Sequence, residues 1–130
     1  ANRPAFAMTA HVVYRAIDPD RPATCSQRVI ADVIRGEIGF DGVLMSDDLG
    51  MKALTGPYDA RAAAARDAGC DLMLHCDGNL ADMEAVASAA GPSGERVLAA
   101  LQHSGRRQAR ATIDNTQVAV IQLINALRHG

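Results

Sequence analysis

The chain has no tryptophan and only two phenylalanines and two tyrosines in 130 residues, although 48% of it is hydrophobic. Its core is therefore expected to be aliphatic and alanine-rich. An excess of basic charge is also missing: 13 Lys and Arg against 15 Asp and Glu give a formal charge of -2. That balance excludes a general attraction to nucleic acid or to an anionic membrane surface and leaves small neutral or mixed-charge ligands. The three cysteines, Cys25, Cys70 and Cys76, are odd in number and form no CxxC pair, which argues against a disulfide framework or a zinc motif and for a reducing compartment. No apolar run approaches the ~20 residues of a membrane helix, and Ala1-Asn2-Arg3-Pro4 opens no signal core. The chain lacks an initiator Met and reads as a processed or excised piece, of at most one domain.

What is present alternates between short apolar runs and helical patterns. Residues 4–12 read as a strand ending near His11, followed by a polar loop around Asp18-Pro19-Asp20. Thr24 with Gln27 matches a capping box, and Val29, Ile30, Val33 and Ile34 then recur with helical period up to Gly36 or Gly39. Residues 43–45 form the next strand. Asp59 is placed to cap an alanine-rich helix that Gly69 ends. Residues 70–76 read as a third strand, and residues 79–90 as a helix closed by Gly91-Pro92. Ser93 can cap a further helix that stops before Gly105. The basic run at 106–110 reads as a solvated face. Val118, Ile121, Ile124 and Leu127 mark a last amphipathic helix.

The chemistry concentrates in residues 40–51. Val43, Leu44 and Met45 suit a strand buried on both faces, and Ser46, Asp47 and Asp48 follow at its carboxyl end. In α/β proteins ligands and catalytic groups collect at that end. A carboxylate there also serves as a plain helix cap, a reading that applies to Asp48 more than to Asp47.

Strand-helix alternation implies an α/β fold with parallel strands and right-handed crossovers. Three parallel strands alone would leave two open edges. Because a (β/α)8 barrel takes ~250 residues, the chain reads as the closing portion of such a TIM barrel. It is a single partial domain, with βαβαβα units over residues 1–92 and carboxyl-terminal helices over 93–130.

Met8-Thr9-Ala10-His11-Val12, the loop at 17–24, Gly39-Phe40-Asp41-Gly42-Val43, Ser46-Asp47-Asp48-Leu49-Gly50-Met51 and Ala68-Gly69-Cys70-Asp71 together resemble the carboxyl-terminal part of the β-N-acetylhexosaminidases of glycoside hydrolase family 3. The resemblance implies strands six to eight of the barrel, in a cytoplasmic enzyme that removes N-acetylglucosamine from cell-wall muropeptides without a cofactor. It assigns the nucleophile to Asp47. A retaining glycosidase needs such a carboxylate to form a covalent glycosyl-enzyme. Asp48, pointing to the other side of the strand, becomes a cap or supporting acceptor. His11 is either a sugar-pocket residue or a histidine bonded between strands, and Met51 corresponds to a position near the bound sugar.

The family's proton donor is a His supported by an Asp on a loop after the fifth strand, and that motif is not in this sequence. The chain alone is therefore expected to be inactive. His75, Cys76 and Asp77 have ligand chemistry without metal-site spacing, so no metal is assigned. Two alternatives stand beside this reading. One is a β-glucosidase of the same family, which more usually carries an aromatic residue after the nucleophile. The other is a flavodoxin-like module holding Mg²⁺ on Asp47 and Asp48. The expected partner is an amino-sugar glycoside, with neither nucleic acid nor membrane, and open sheet edges would permit self-association.

Overall fold

A computed structural model of the protein describes residues 4–108. Three strands, β1 (Phe6–Met8), β2 (Val43–Asp48) and β3 (Leu72–Leu74), form one parallel sheet in the order β1-β2-β3. A helix over Val29–Glu37 joins the first pair and α1 (Tyr58–Ala68) the second; α2 (Leu80–Ala90) and α3 (Glu95–Gln108) follow β3. The expected α/β alternation with parallel strands is thus present. The chain divides into two compact units, Ala1–Ala100 and Leu101–Gly130, and the whole sheet lies in the first. Of the basic run at 106–110, residues 106–108 belong to the end of α3 and residues 109–110 lie outside the described residues, as does the amphipathic tail from Val118.

The core follows from the aliphatic composition. Ile30, Leu44, Leu49, Leu54 and Val86 pack with Ala62, Ala65, Ala68 and Cys70. Alanine at 62 and 65, both fully buried, presents the short-chained face of α1 to the sheet and lets the helix approach closely. Gly69 ends α1 at φ 113°, and a Cβ there would lie 3.0 Å from Ile30 Cγ2. Glycine therefore supplies both the left-handed turn and the clearance. At Gly42 a Cβ would fall 2.6 Å from the Ala5 carbonyl oxygen, so the start of β2 can sit against β1 only without a side chain.

The amino-terminal end of the sheet is tied by charge. Asp71 pairs with Arg35 at 2.7 Å and with Arg96 at 2.6 Å, and accepts the Leu44 backbone N–H at 2.8 Å. Arg35 also donates to the carbonyls of Phe40 and Gly42. One carboxylate thereby joins β2, β3, α3 and the first long helix. Such groups at the bottom of an α/β sheet hold the frame, and the opposite end is left for chemistry.

Several local expectations are corrected. β1 and β3 have three residues each, shorter than the runs 4–12 and 70–76, because the flanking residues turn away to make loop bonds such as Ala23 N–H to the Val12 carbonyl. The capping hydroxyl is that of Ser26, which accepts the Val29 N–H, and not that of Thr24. Asp59 does not cap α1; Pro57 precedes that helix with no side-chain bond, and Asp59 accepts the Ala60 N–H within the first turn. The helix over Val29–Glu37 is π-wound, as in the Ile38 N–H bond to the Val33 carbonyl. It still turns Val29 and Ile30 fully inward. α3 continues through Gly105 to Gln108.

Candidate active site

Parallel strands bring their carboxyl ends to one rim, and here that rim carries Thr9 and His11 after β1, Ser46, Asp47 and Asp48 closing β2, and His75 to Asp77 after β3. The pairing of β2 with β3 is irregular there: Met45 faces Leu72 and Asp48 faces Leu74. Three steps along β2 are matched by two along β3, so one extra residue is inserted at Ser46-Asp47. Bulges are rare between parallel strands and collect beside active sites, where they re-aim a side chain. Ser46, fully buried, fills the gap by accepting the Leu74 N–H on its hydroxyl at 2.9 Å. The Leu49 N–H then rejoins the ladder at the Leu74 carbonyl.

Asp47 sits in this bulge, half-buried, with its Oδ1 accepting the Asp48 N–H at 2.9 Å. Asp48 accepts the Gly50 N–H on its own carboxylate at 2.9 Å. Each acid is thus ordered by its own backbone donor.

His11 closes the rim on the β1 side. Its Nε2 lies 2.9 Å from the Asp48 carbonyl oxygen, and its Nδ1 lies 2.8 Å from Thr24 Oγ1. A carbonyl only accepts, so Nε2 carries the proton. Thr24 Oγ1 lies in turn 2.8 Å from Thr9 Oγ1, out of solvent. Of the two roles open to His11, the structure displays the bond between strand ends, with both ring nitrogens engaged. Met51, 43% exposed, occupies the following loop, and its N–H donates to the Asp48 carbonyl. Asp18 holds the loop at 17–24 by accepting from the Ser26 hydroxyl at 2.7 Å and from the Asp20 N–H. The Ser26 bond holds the Asp18 carboxyl below its ordinary value despite the opposing effect of burial.

Arg61 was not singled out by the sequence. It reaches from α1 to the carbonyls of Leu49 at 2.7 Å and Gly56 at 2.8 Å while lying over the Tyr58 ring, which pins the loop after Asp48. Its place three residues beyond Tyr58 is the only local signal. Asp82 was missed as well: it stands in the first turn of α2 and converges on His75 and Asp77.

The rim is electrostatically negative. Burial pushes the exposed-end Cys76 thiol up, and the carboxylates of Asp48, Asp47 and Asp77 push it further. Such a field suits a developing positive charge on a bound ligand. A shallow cavity of about 190 Å³ lies behind the loop, lined by Pro22, Cys25, Leu54 and Arg61 among others. It does not include Asp47, which opens on the rim itself.

Residues 2–120 match the glycosyl hydrolase family 3 N-terminal domain. Among curated proteins, a β-hexosaminidase of Alkalilimnicola ehrlichii is 56% identical over 72 residues, which is 54% of this chain and 20% of that protein. The chain thus spans about a fifth of the length of the curated relatives it matches. Among solved structures, a family 3 β-N-acetylglucosaminidase from Paenibacillus superposes with a TM-score of 0.63 at 32% identity, over 82% of this chain and 22% of that one. A β-N-acetylhexosaminidase from Beutenbergia cavernae gives 0.54 at 33% identity, over 74% and 33%.

Proposed function

The chain belongs to glycosyl hydrolase family 3, and from that premise we propose that it is the nucleophile-bearing segment of a retaining β-N-acetylglucosaminidase. The observation that carries this reading is the seat of Asp47, in a bulge at the carboxyl end of the central strand. Its carboxylate attacks the anomeric carbon of a terminal N-acetylglucosamine to form a covalent glycosyl-enzyme, which water then hydrolyses. Asp48 serves as support: its carboxylate shapes the turn to Gly50, and its carbonyl receives His11. His11 acts as a positioning residue, and Met51 flanks the sugar from the exposed loop.

In this reading the three strands are the sixth to eighth of a TIM barrel. Both β1 and β3 are edges of the described sheet, and Met8, Val12, Val13 and Tyr14 expose apolar surface beside β1. Continuation of the sheet on either side would cover them; self-association is the other way to do so. The relatives named above are hexosaminidases, which favours that branch over β-glucosidases. Muropeptides as substrate and the cytoplasm as location belong to the same proposal.

Protonation of the leaving oxygen falls to the His-Asp loop that this sequence does not contain. The 130-residue chain is therefore expected to show no turnover of nitrophenyl N-acetylglucosaminide, whereas a complete barrel carrying it is active and loses activity with Asp47→Asn. Robust turnover by the chain alone, or an active Asp47→Asn enzyme, contradicts the proposal.

A further inference from the structure

The rim holds a second cluster that glycoside chemistry does not use. The His75 side chain is only 4% exposed, and its ring packs 4.6 Å from that of Tyr58. Neither of its ring nitrogens makes a hydrogen bond, although buried polar groups are nearly always paired. Nε2 nevertheless lies 2.8 Å from Asp77 Oδ1. The two atoms are close but outside the direction in which a ring N–H donates, so the contact is one of proximity without a directed bond. Asp82 brings a third donor, and one ligand atom from each of the three residues lies within 4.8 Å of the others.

We propose that His75, Asp77 and Asp82 form a binding site for a divalent transition-metal ion, Zn²⁺ being the best fit. One imidazole and two carboxylates are a nitrogen-oxygen donor set of the kind zinc accepts, whereas Mg²⁺ and Ca²⁺ take oxygen alone. Metal-ligand distances of about 2.0–2.2 Å place neighbouring ligand atoms about 3–3.5 Å apart. His75 Nε2 and Asp77 Oδ1, at 2.8 Å, are slightly closer than that and need only a small separation to admit the ion. Rotation of the exposed Asp77 and half-buried Asp82 side chains draws in the third donor and leaves a position for water. The other ring nitrogen, Nδ1, faces Asp48 Oδ1 at 3.9 Å, the arrangement in which an outer carboxylate orients a metal-bound imidazole. The amino terminus of α2 mildly disfavours a cation, and the two ligating carboxylates oppose that effect. The ion joins the end of β3 to the start of α2 and takes no part in the step assigned to Asp47.

The test is titration of the 130-residue chain with Zn²⁺ against a chromophoric chelator, and with Co²⁺ followed by its absorption spectrum. One equivalent binds, at least ten-fold more weakly in Asp82→Asn and His75→Gln and with unchanged affinity in Asp47→Asn. Asp82→Asn alters a helix-surface position and leaves His75 in place, so its metal-free melting midpoint should match that of the parent. Failure of the parent to bind at micromolar Zn²⁺, or equal binding by both ligand variants, overturns the site. So does loss of binding in Asp47→Asn, or a thiolate-to-cobalt charge-transfer band from Cys76.

Discussion

Removal of the Ser46 hydroxyl should damage the rim more than its size suggests. The Ser46 side chain is fully buried and accepts the Leu74 N–H at 2.9 Å in the bulge beside Asp47. Ser46→Ala removes one oxygen, so the cavity effect is small, but it strands a part-buried backbone donor. Leaving such a donor unsatisfied costs about 1–3 kcal/mol. With a urea slope of about 1–2 kcal/mol/M for a small domain, the unfolding midpoint of the chain should fall by about 0.5–3 M. The exposed Ser93→Ala serves as control and should stay within about 0.5 kcal/mol of the parent. Native-state hydrogen exchange provides the local readout: the Leu74 amide should lose protection beyond the global change seen at Leu44. The register is also at stake, because a one-residue slip would carry Asp47 to the opposite face of the sheet. A midpoint within about 0.3 M of the parent, with Leu74 protection intact, would refute the role assigned to Ser46; that limit is about 0.5 kcal/mol on the same slope.

Other consequences are equally open to measurement. Asp71→Asn weakens bonds to Arg35, Arg96 and the Leu44 N–H at once and should destabilise by about 1.5–3 kcal/mol in urea unfolding, whereas Arg96→Ala, on an exposed side chain, should cost about 0–1 kcal/mol. The Asp18 carboxyl is held below its ordinary value of 3.8 by the Ser26 hydroxyl; its stabilisation is therefore present above that value and lost as pH falls through the lower folded one. Acid unfolding of Asp18→Asn should accordingly show a weaker pH dependence below pH 4, and identical acid profiles would refute the assignment. Burial pushes the Cys70 thiol up to about 12, so alkylation mapped by mass spectrometry at pH 8 should spare Cys70 until unfolding and mark the exposed Cys76 first.

The strand-helix alternation was legible because short apolar runs and alanine-rich helical stretches are local properties, and Gly69 and Asn79 announce their helix boundaries in the same way. The bulge was not legible. It arises from the pairing of Met45 and Asp48 with Leu72 and Leu74, a non-local register that no residue of β2 reveals alone. The capping error has a similar cause: Thr24 and Ser26 offer the same hydroxyl chemistry, and the choice was made by His11 and Thr9, which claim Thr24 from more than ten residues away. The π winding was hidden because it buries Val29 and Ile30 as an α-helix would. At the site, the motif around Asp47 and Asp48 was visible in the sequence. The long-range partners Arg61 and Asp82 could be found only by folding the chain.

The division of labour between the two adjacent acids is the centre of this account, and trapping the glycosyl-enzyme tests it most directly. A complete barrel carrying this segment would be treated with a 2-fluoro-sugar inactivator, digested, and mapped by mass spectrometry. The adduct should lie on Asp47 and be abolished by Asp47→Asn with the fold intact. An adduct on Asp48 would contradict the account.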